Sequence, residues 1–112
     1  MRVAGIGCRP GTPPDAILRA VARAGGADLL AGIPERAAEL TPAARAAGLP
    51  LRLVAVAGIA TPTRSPRILA LFGTGSVAEA AAIAAGGRLL GPRIVQGPVT
   101  IALATLPPAE VP

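Results

Sequence analysis

Val3-Ala4-Gly5-Ile6-Gly7-Cys8-Arg9-Pro10-Gly11-Thr12 decides how the chain is read. A short apolar run enters a glycine-rich turn, and Pro13-Pro14-Asp15 then suits the first turn of a helix. A strand feeding a helix through a tight turn opens an α/β unit. Glycine has no Cβ, so such a turn bends sharply and lets a ligand come close to the backbone. The helix behind it points unpaired N–H groups and the positive end of its dipole at the turn. Arg9 adds a fixed charge. The corner suits a carboxylate or phosphate; the alternative is a tight turn with no ligand.

Working outward, Thr12 is the expected N-cap of the first helix, with Asp15 three residues on. Ile17, Leu18 and Val21 mark its apolar face, and Gly25-Gly26 ends it. A second buried strand spans Ala27 to Ile33. Thr41-Pro42 is expected to restart the chain as a helix from Pro42 to Ala47, stopped by Gly48. Pro50 to Val56 reads as a third strand and Ala57 to Pro66 as a loop. A short helix, Pro66 to Phe72, then precedes a second glycine-rich segment, Phe72-Gly73-Thr74-Gly75-Ser76. Ser76 and Glu79 form a capping-box pattern for a helix over Val77 to Ala85. Arg88 to Gly91 and Pro98 to Thr105 are expected to close the chain as paired strands, with Gly97-Pro98 between them. The expected fold is a single α/β domain: three layers, α/β/α, on a mixed, mostly parallel sheet of about five strands. It should occupy residues 1–106, with 107–112 a flexible tail.

The 112 residues suit one domain, and 52% are hydrophobic, much of that alanine. With one Phe and no Trp or Tyr, the core must be built from Leu, Ile, Val and Ala. No aromatic platform exists for stacking bases. The net charge of +5 comes from arginines that are scattered rather than clustered, which argues against a nucleic-acid surface. Absence of histidine removes Ser–His and Cys–His nucleophile pairs and histidine metal ligands. A single cysteine excludes an internal disulfide. No stretch near ~20 apolar residues is free of charge or glycine, and the N-terminus lacks an apolar run of signal-peptide length, so a cytoplasmic protein is expected.

Gly5, Gly7 and Gly11 invite a dinucleotide reading, but the third glycine falls one residue late. The acidic residue expected after the second strand is replaced by Ile33-Pro34. No Gly-Lys-Ser/Thr occurs, which excludes a Walker loop. Cys8 sits by a helix N-terminus and Arg9, features that lower a thiol pKa, yet it has no base and also reads as a small packing residue. Glu79 reads either as a general acid or base or as the glutamate of its own capping box. Arg36 and Glu39, three apart, read as a solvated ion pair. Gly73-Thr74-Gly75-Ser76 repeats the logic of the first loop. Two such corners at strand ends often line one crevice.

Together these segments resemble the CobE/CbiG C-terminal domain family of cobalamin biosynthesis. Gly5 to Thr12 is similar to the family's GIGCRRGT, and Gly73 to Ala82 to its GTxSVAEAAA. Arg36 to Glu39 stands at its KxxE, and Gly48-Leu49-Pro50-Leu51 also fits. Pro92-Arg93 with Pro98 to Ala102 resembles PK…ATVAIA. The resemblance implies a mixed-sheet α/β domain that works on the corrin ring. In long CbiG proteins this domain ends an enzyme that opens a lactone on a cobalt-precorrin; the present chain looks like the stand-alone CobE form. The expected ligand is a precorrin or other corrinoid intermediate, with other cobalamin-pathway enzymes as further partners. No cofactor, metal, nucleic acid or membrane is expected. The substrate-binding set is Gly5, Gly7, Cys8, Arg9, Gly11, Thr12, Gly73, Thr74, Gly75, Ser76 and Arg93, with Glu79 the candidate catalytic residue. Two family lysines appear as Arg36 and Arg93, a change that suits a fixed cation but not a group that must shed a proton. The alternatives are a hydrolase acting on a precorrin lactone, and a non-catalytic carrier or interaction domain.

Overall fold

Small residues on one side of the first strand set the architecture. The computed structural model describes residues 1–107, so most of the expected tail lies outside the described residues. Strand β1 (Arg2–Cys8) leads to helix α1 (Pro14–Arg23), strand β2 (Leu29–Gly32), a 3-10 turn (Pro34–Arg36) and helix α2 (Ala37–Ala47). Strand β3 (Leu51–Leu53), helices α3 (Pro66–Phe72) and α4 (Val77–Ala84), and strands β4 (Arg88–Leu89), β5 (Ile94–Gln96) and β6 (Val99–Thr105) follow. The sheet order is β3-β2-β1-β6-β4, with β5 also on β6. The sheet is mixed, as expected: β1, β2 and β3 run parallel, and β6 joins β1, β4 and β5 antiparallel.

Each face of the sheet carries its own core. Ala4, Ile6, Leu30, Val99 and Ile101 pack with Ile17, Val21 and Leu40 of α1 and α2. Val3, Leu29, Ala31 and Ala104 pack with Ala80, Ala81 and Ala82 of α4. The period-two alternation of β1 therefore divides one strand between two clusters. On the α4 side the strand offers Gly5 and Gly7 to an alanine-rich helix. A Cβ at Gly5 would collide with the carbonyl of Ala78. The absent side chain is what lets α4 lie directly on the sheet.

Local signals fared unevenly. Ser65 and Ser76 cap α3 and α4 through Ile68 N and Glu79 N. Gly97 takes φ +58° in the two-residue β5–β6 hairpin, a conformation glycine adopts freely. Thr12, by contrast, does not cap α1. Pro13 holds that position, and the Thr12 hydroxyl donates to Arg9 O at 2.7 Å. Nor does the chain restart at Thr41-Pro42: α2 runs continuously through Pro42. Leu40, Ala43 and Ala44 form one buried face at spacing i, i+3, i+4, and burying it as a unit outweighs the backbone bond proline removes. Gly32 has no side chain, and the Leu40 methyl fills that space.

Candidate functional site

The carboxyl ends of β1 and β2 open onto a cleft of about 340 Å³, where an α/β sheet is expected to bind ligands. One wall is Gly7 and Cys8 at the end of β1 with Arg9 and Pro10 beyond it, and Ile33 and Arg36 after β2. The floor is Ser76, Val77 and Ala78, the first turn of α4. Ser65, Arg67, Ile68, Leu71 and Phe72 of the α3 segment form the opposite wall. Arg93, Val95, Gly97, Pro98 and Thr100 close the end. Arg9, Arg36, Arg67 and Arg93 thus face one cavity, and no acidic residue lines it. The guanidinium groups of Arg9, Arg67 and Arg93 make no hydrogen bond or ion pair among the described residues. Arg36 is anchored, its Nε donating to Cys8 O at 2.9 Å and Nη1 to Glu35 O at 3.1 Å.

Of the residues expected from sequence, Gly7, Cys8, Arg9, Ser76 and Arg93 meet in this cleft. The others do not reach it. Gly5 lies beneath α4. Gly11 N donates to Glu39 Oε2 at 2.9 Å, so the chain's own carboxylate already occupies that part of the cradle. Arg36 and Glu39 accordingly serve the first glycine loop from two sides, instead of forming the expected solvated pair. Gly73, Thr74 and Gly75 support a different loop. Gly73 O accepts from Gly58 N at 2.9 Å and Gly75 O from Ser65 N at 2.8 Å. The Thr74 hydroxyl donates to Ile59 O at 2.7 Å. A Cβ at Gly75 would sit 2.8 Å from Thr63 O. Thr74 and Gly75 are therefore a buried seat for segment 57–65; Gly73 is exposed, and of the four only Ser76 borders the cleft.

Cys8 and Glu79 both sit in surroundings that their sequence neighbours do not show. Cys8 is half-buried against the α1–α2 core, and that burial pushes its thiol pKa up from the ordinary value. The Glu39 charge pushes the same way, while a hydrogen bond with Thr12 and the nearby Arg36 oppose it. The thiolate anticipated from Arg9 and a helix end is disfavoured. Glu79 is fully buried and lies outside the cleft lining. Ser76 accepts its N–H at 3.3 Å, half of the capping box, but its carboxylate turns away to the N–H and hydroxyl of Thr63 and the N–H of Arg93.

Arg67 and Ser65 were not singled out from sequence. They sit in a stretch read as loop and short helix, and the signal lies in the third dimension: segment 57–65 folds back onto Gly75 and turns the start of α3 toward β1. A second hollow of about 450 Å³ beyond β3 shares Ile33, Leu71 and Phe72 with the cleft. It is mostly apolar, with Glu35 its one charged residue.

The family model described as "Cobalamin synthesis G C-terminus" matches residues 2–104. The chain belongs to that family. It is a cobalamin-biosynthesis protein of the CobE/CbiG type, as the glycine motifs implied. The crystal structure of CobE, a protein of the cobalamin (vitamin B12) biosynthetic pathway, superposes with a TM-score of 0.74 at 27% identity, covering 93% of this chain and 92% of that one. Cobalamin biosynthesis protein chiG from Agrobacterium tumefaciens gives 0.69 at 36% identity, covering 95% and 98%. No curated protein matches the sequence. Among the described residues, no single helix is long and apolar enough to cross a membrane.

Proposed function

We propose that the cleft binds a corrin-ring precursor by its peripheral carboxylates and holds it for the pathway's enzymes. The observation that carries this reading is the set of four arginines around a cavity with no acidic lining. Arginine presents a planar fork of donors that matches a carboxylate, and an ion pair of this kind is stronger than a neutral hydrogen bond. Corrin precursors carry acetate and propionate arms around a largely apolar macrocycle. The cleft has both characters: arginines and the first turn of α4 for the arms, and Ile68, Leu71, Phe72 and Val95 for the ring. Leu71 and Val95 are 62% and 64% exposed at its mouth, where a ring larger than the cavity would rest.

Binding is favoured over lactone hydrolysis by what the lining lacks. It offers arginines, the hydroxyl residues Ser65, Ser76 and Thr100, and a thiol held protonated, with no carboxylate or imidazole to move a proton. Mixing the protein with cobyrinic acid, a corrin bearing carboxylate arms, is expected to shift its absorption spectrum without forming a product. A precorrin lactone should likewise be bound and recovered unopened. An opened lactone in the second mixture would instead identify a hydrolase. Neither shift nor product would remove the corrinoid reading.

A further inference from the structure

Glu79 does not line the cleft, yet its carboxylate bonds the two segments that carry half of the cleft's arginines. Oε1 accepts the N–H of Thr63 at 3.1 Å and also the Thr63 hydroxyl; Oε2 accepts the N–H of Arg93 at 3.2 Å. Thr63 lies two residues before Ser65, which caps α3, and Arg67 sits in the first turn of that helix. Arg93 lies between β4 and β5 and lines the end of the cleft. Arg67 rides on a short helix entered from segment 57–65, and Arg93 sits on the β4–β5 connection. The Ser65–Gly75 bond fixes the first in part, and Glu79 ties both to α4.

We propose that Glu79 is the positioning residue of this site: its buried carboxylate ties both loops to α4 and so sets the spacing of Arg67 and Arg93 across the cleft. This rests on the carboxylate-binding reading above. All three partners are donors, which an ionised carboxylate accepts without conflict. An amide at this point would turn an NH2 group toward at least one N–H or hydroxyl. Glutamate stands here at the third position of α4, where the helix N-terminus also favours a negative charge.

Substitution Glu79→Gln tests the brace directly. Hydrogen exchange at the amides of Thr63 and Arg93 is expected to quicken by about tenfold or more, while amides of β1 and β6 keep their protection. Unchanged protection at both amides would overturn the proposal. Cobyrinic acid should also bind more weakly to E79Q, and E79Q combined with R93A should lose less than the product of the two single losses. Multiplying losses would show that Glu79 does not act through Arg93. Should E79Q fail to fold, Thr63→Val removes one of the three donors and is expected to quicken exchange at position 63; no change there would equally overturn the brace. If R93A binds cobyrinic acid as the wild type does, the cleft reading fails, and the exchange data still decide the brace.

Discussion

The two glycine motifs look alike in sequence and do opposite work in the fold. Both place glycines, hydroxyl residues and a helix start after an apolar stretch. The first, at the end of β1, lines the cleft with Gly7, Cys8 and Arg9, where Arg36 holds the Cys8 carbonyl and Pro98 O the Arg9 N–H. The second, Gly73 to Ser76, packs against segment 57–65: Thr74, Gly75 and Ser76 are buried, and only Gly73 is exposed. A glycine needed for approach and a glycine needed for packing are the same letter. What separates them is the neighbour that arrives from elsewhere in the chain.

The sharpest way to break the contrast is inside the first motif, where Gly5 packs and Gly7 lines the site. Gly5→Val drives a side chain into the Ala78 carbonyl and must displace α4. We expect a loss of about 3 kcal/mol or more, read by thermal or denaturant unfolding. A stable G5V protein would mean that α4 is not seated as described. Gly75→Ala has contacts of 2.8 to 3.0 Å to meet at Thr63, Thr61 and Arg64, and should destabilise by about 1–3 kcal/mol. Gly7→Ala is the counterpart. Its Cβ would find ordinary contacts at 3.6 Å on Val77 and the Ala78 nitrogen. Stability should stay within about 0.5 kcal/mol, while the added methyl covers the Ala78 N–H and weakens cobyrinic acid binding.

The smallest expected effect concerns Cys8. A thiol whose folded pKa is raised adds stability that is complete below the unfolded value and is lost as pH climbs through the folded one. The melting temperature should therefore begin to fall above about pH 9, the ordinary thiol value, and a Cys8→Ser variant should lack that component. Iodoacetamide should label folded protein at pH 8 more slowly than unfolded protein. Rapid labelling of the folded chain would contradict the burial described for Cys8.

These outcomes mark how far the residues could be read without coordinates. The α/β class, α1, α3, α4, β1 and the closing β6 followed from proline starts, glycine stops, the Ser76 cap and apolar runs, all of them local signals. Pro42 misled because its local preference was overridden by the burial of Leu40, a tertiary effect. Arg9 and Arg93 were found by charge and by matching segments. Arg67 was missed because its place depends on segment 57–65 folding onto Gly75. Glu79 was recognised as special, but its backbone capping contact was predictable and the destination of its carboxylate was not. Thr63 and Arg93 lie 16 and 14 residues away, on loops with no periodicity to betray them.

The central claim is that the arginine-lined cleft, not either glycine loop alone, recognises the carboxylates of a corrin precursor. An absorbance titration of cobyrinic acid against wild-type and R93A protein tests it most directly, with cobinamide, whose arms are amides, as the control. Loss of one charge-assisted pair should weaken binding by about 1.5–3 kcal/mol, roughly 10- to 150-fold, with melting unchanged. Cobinamide should bind far less well than cobyrinic acid. Equal affinity of wild type and R93A for cobyrinic acid, or equal affinity for the acid and the amide, would contradict the claim.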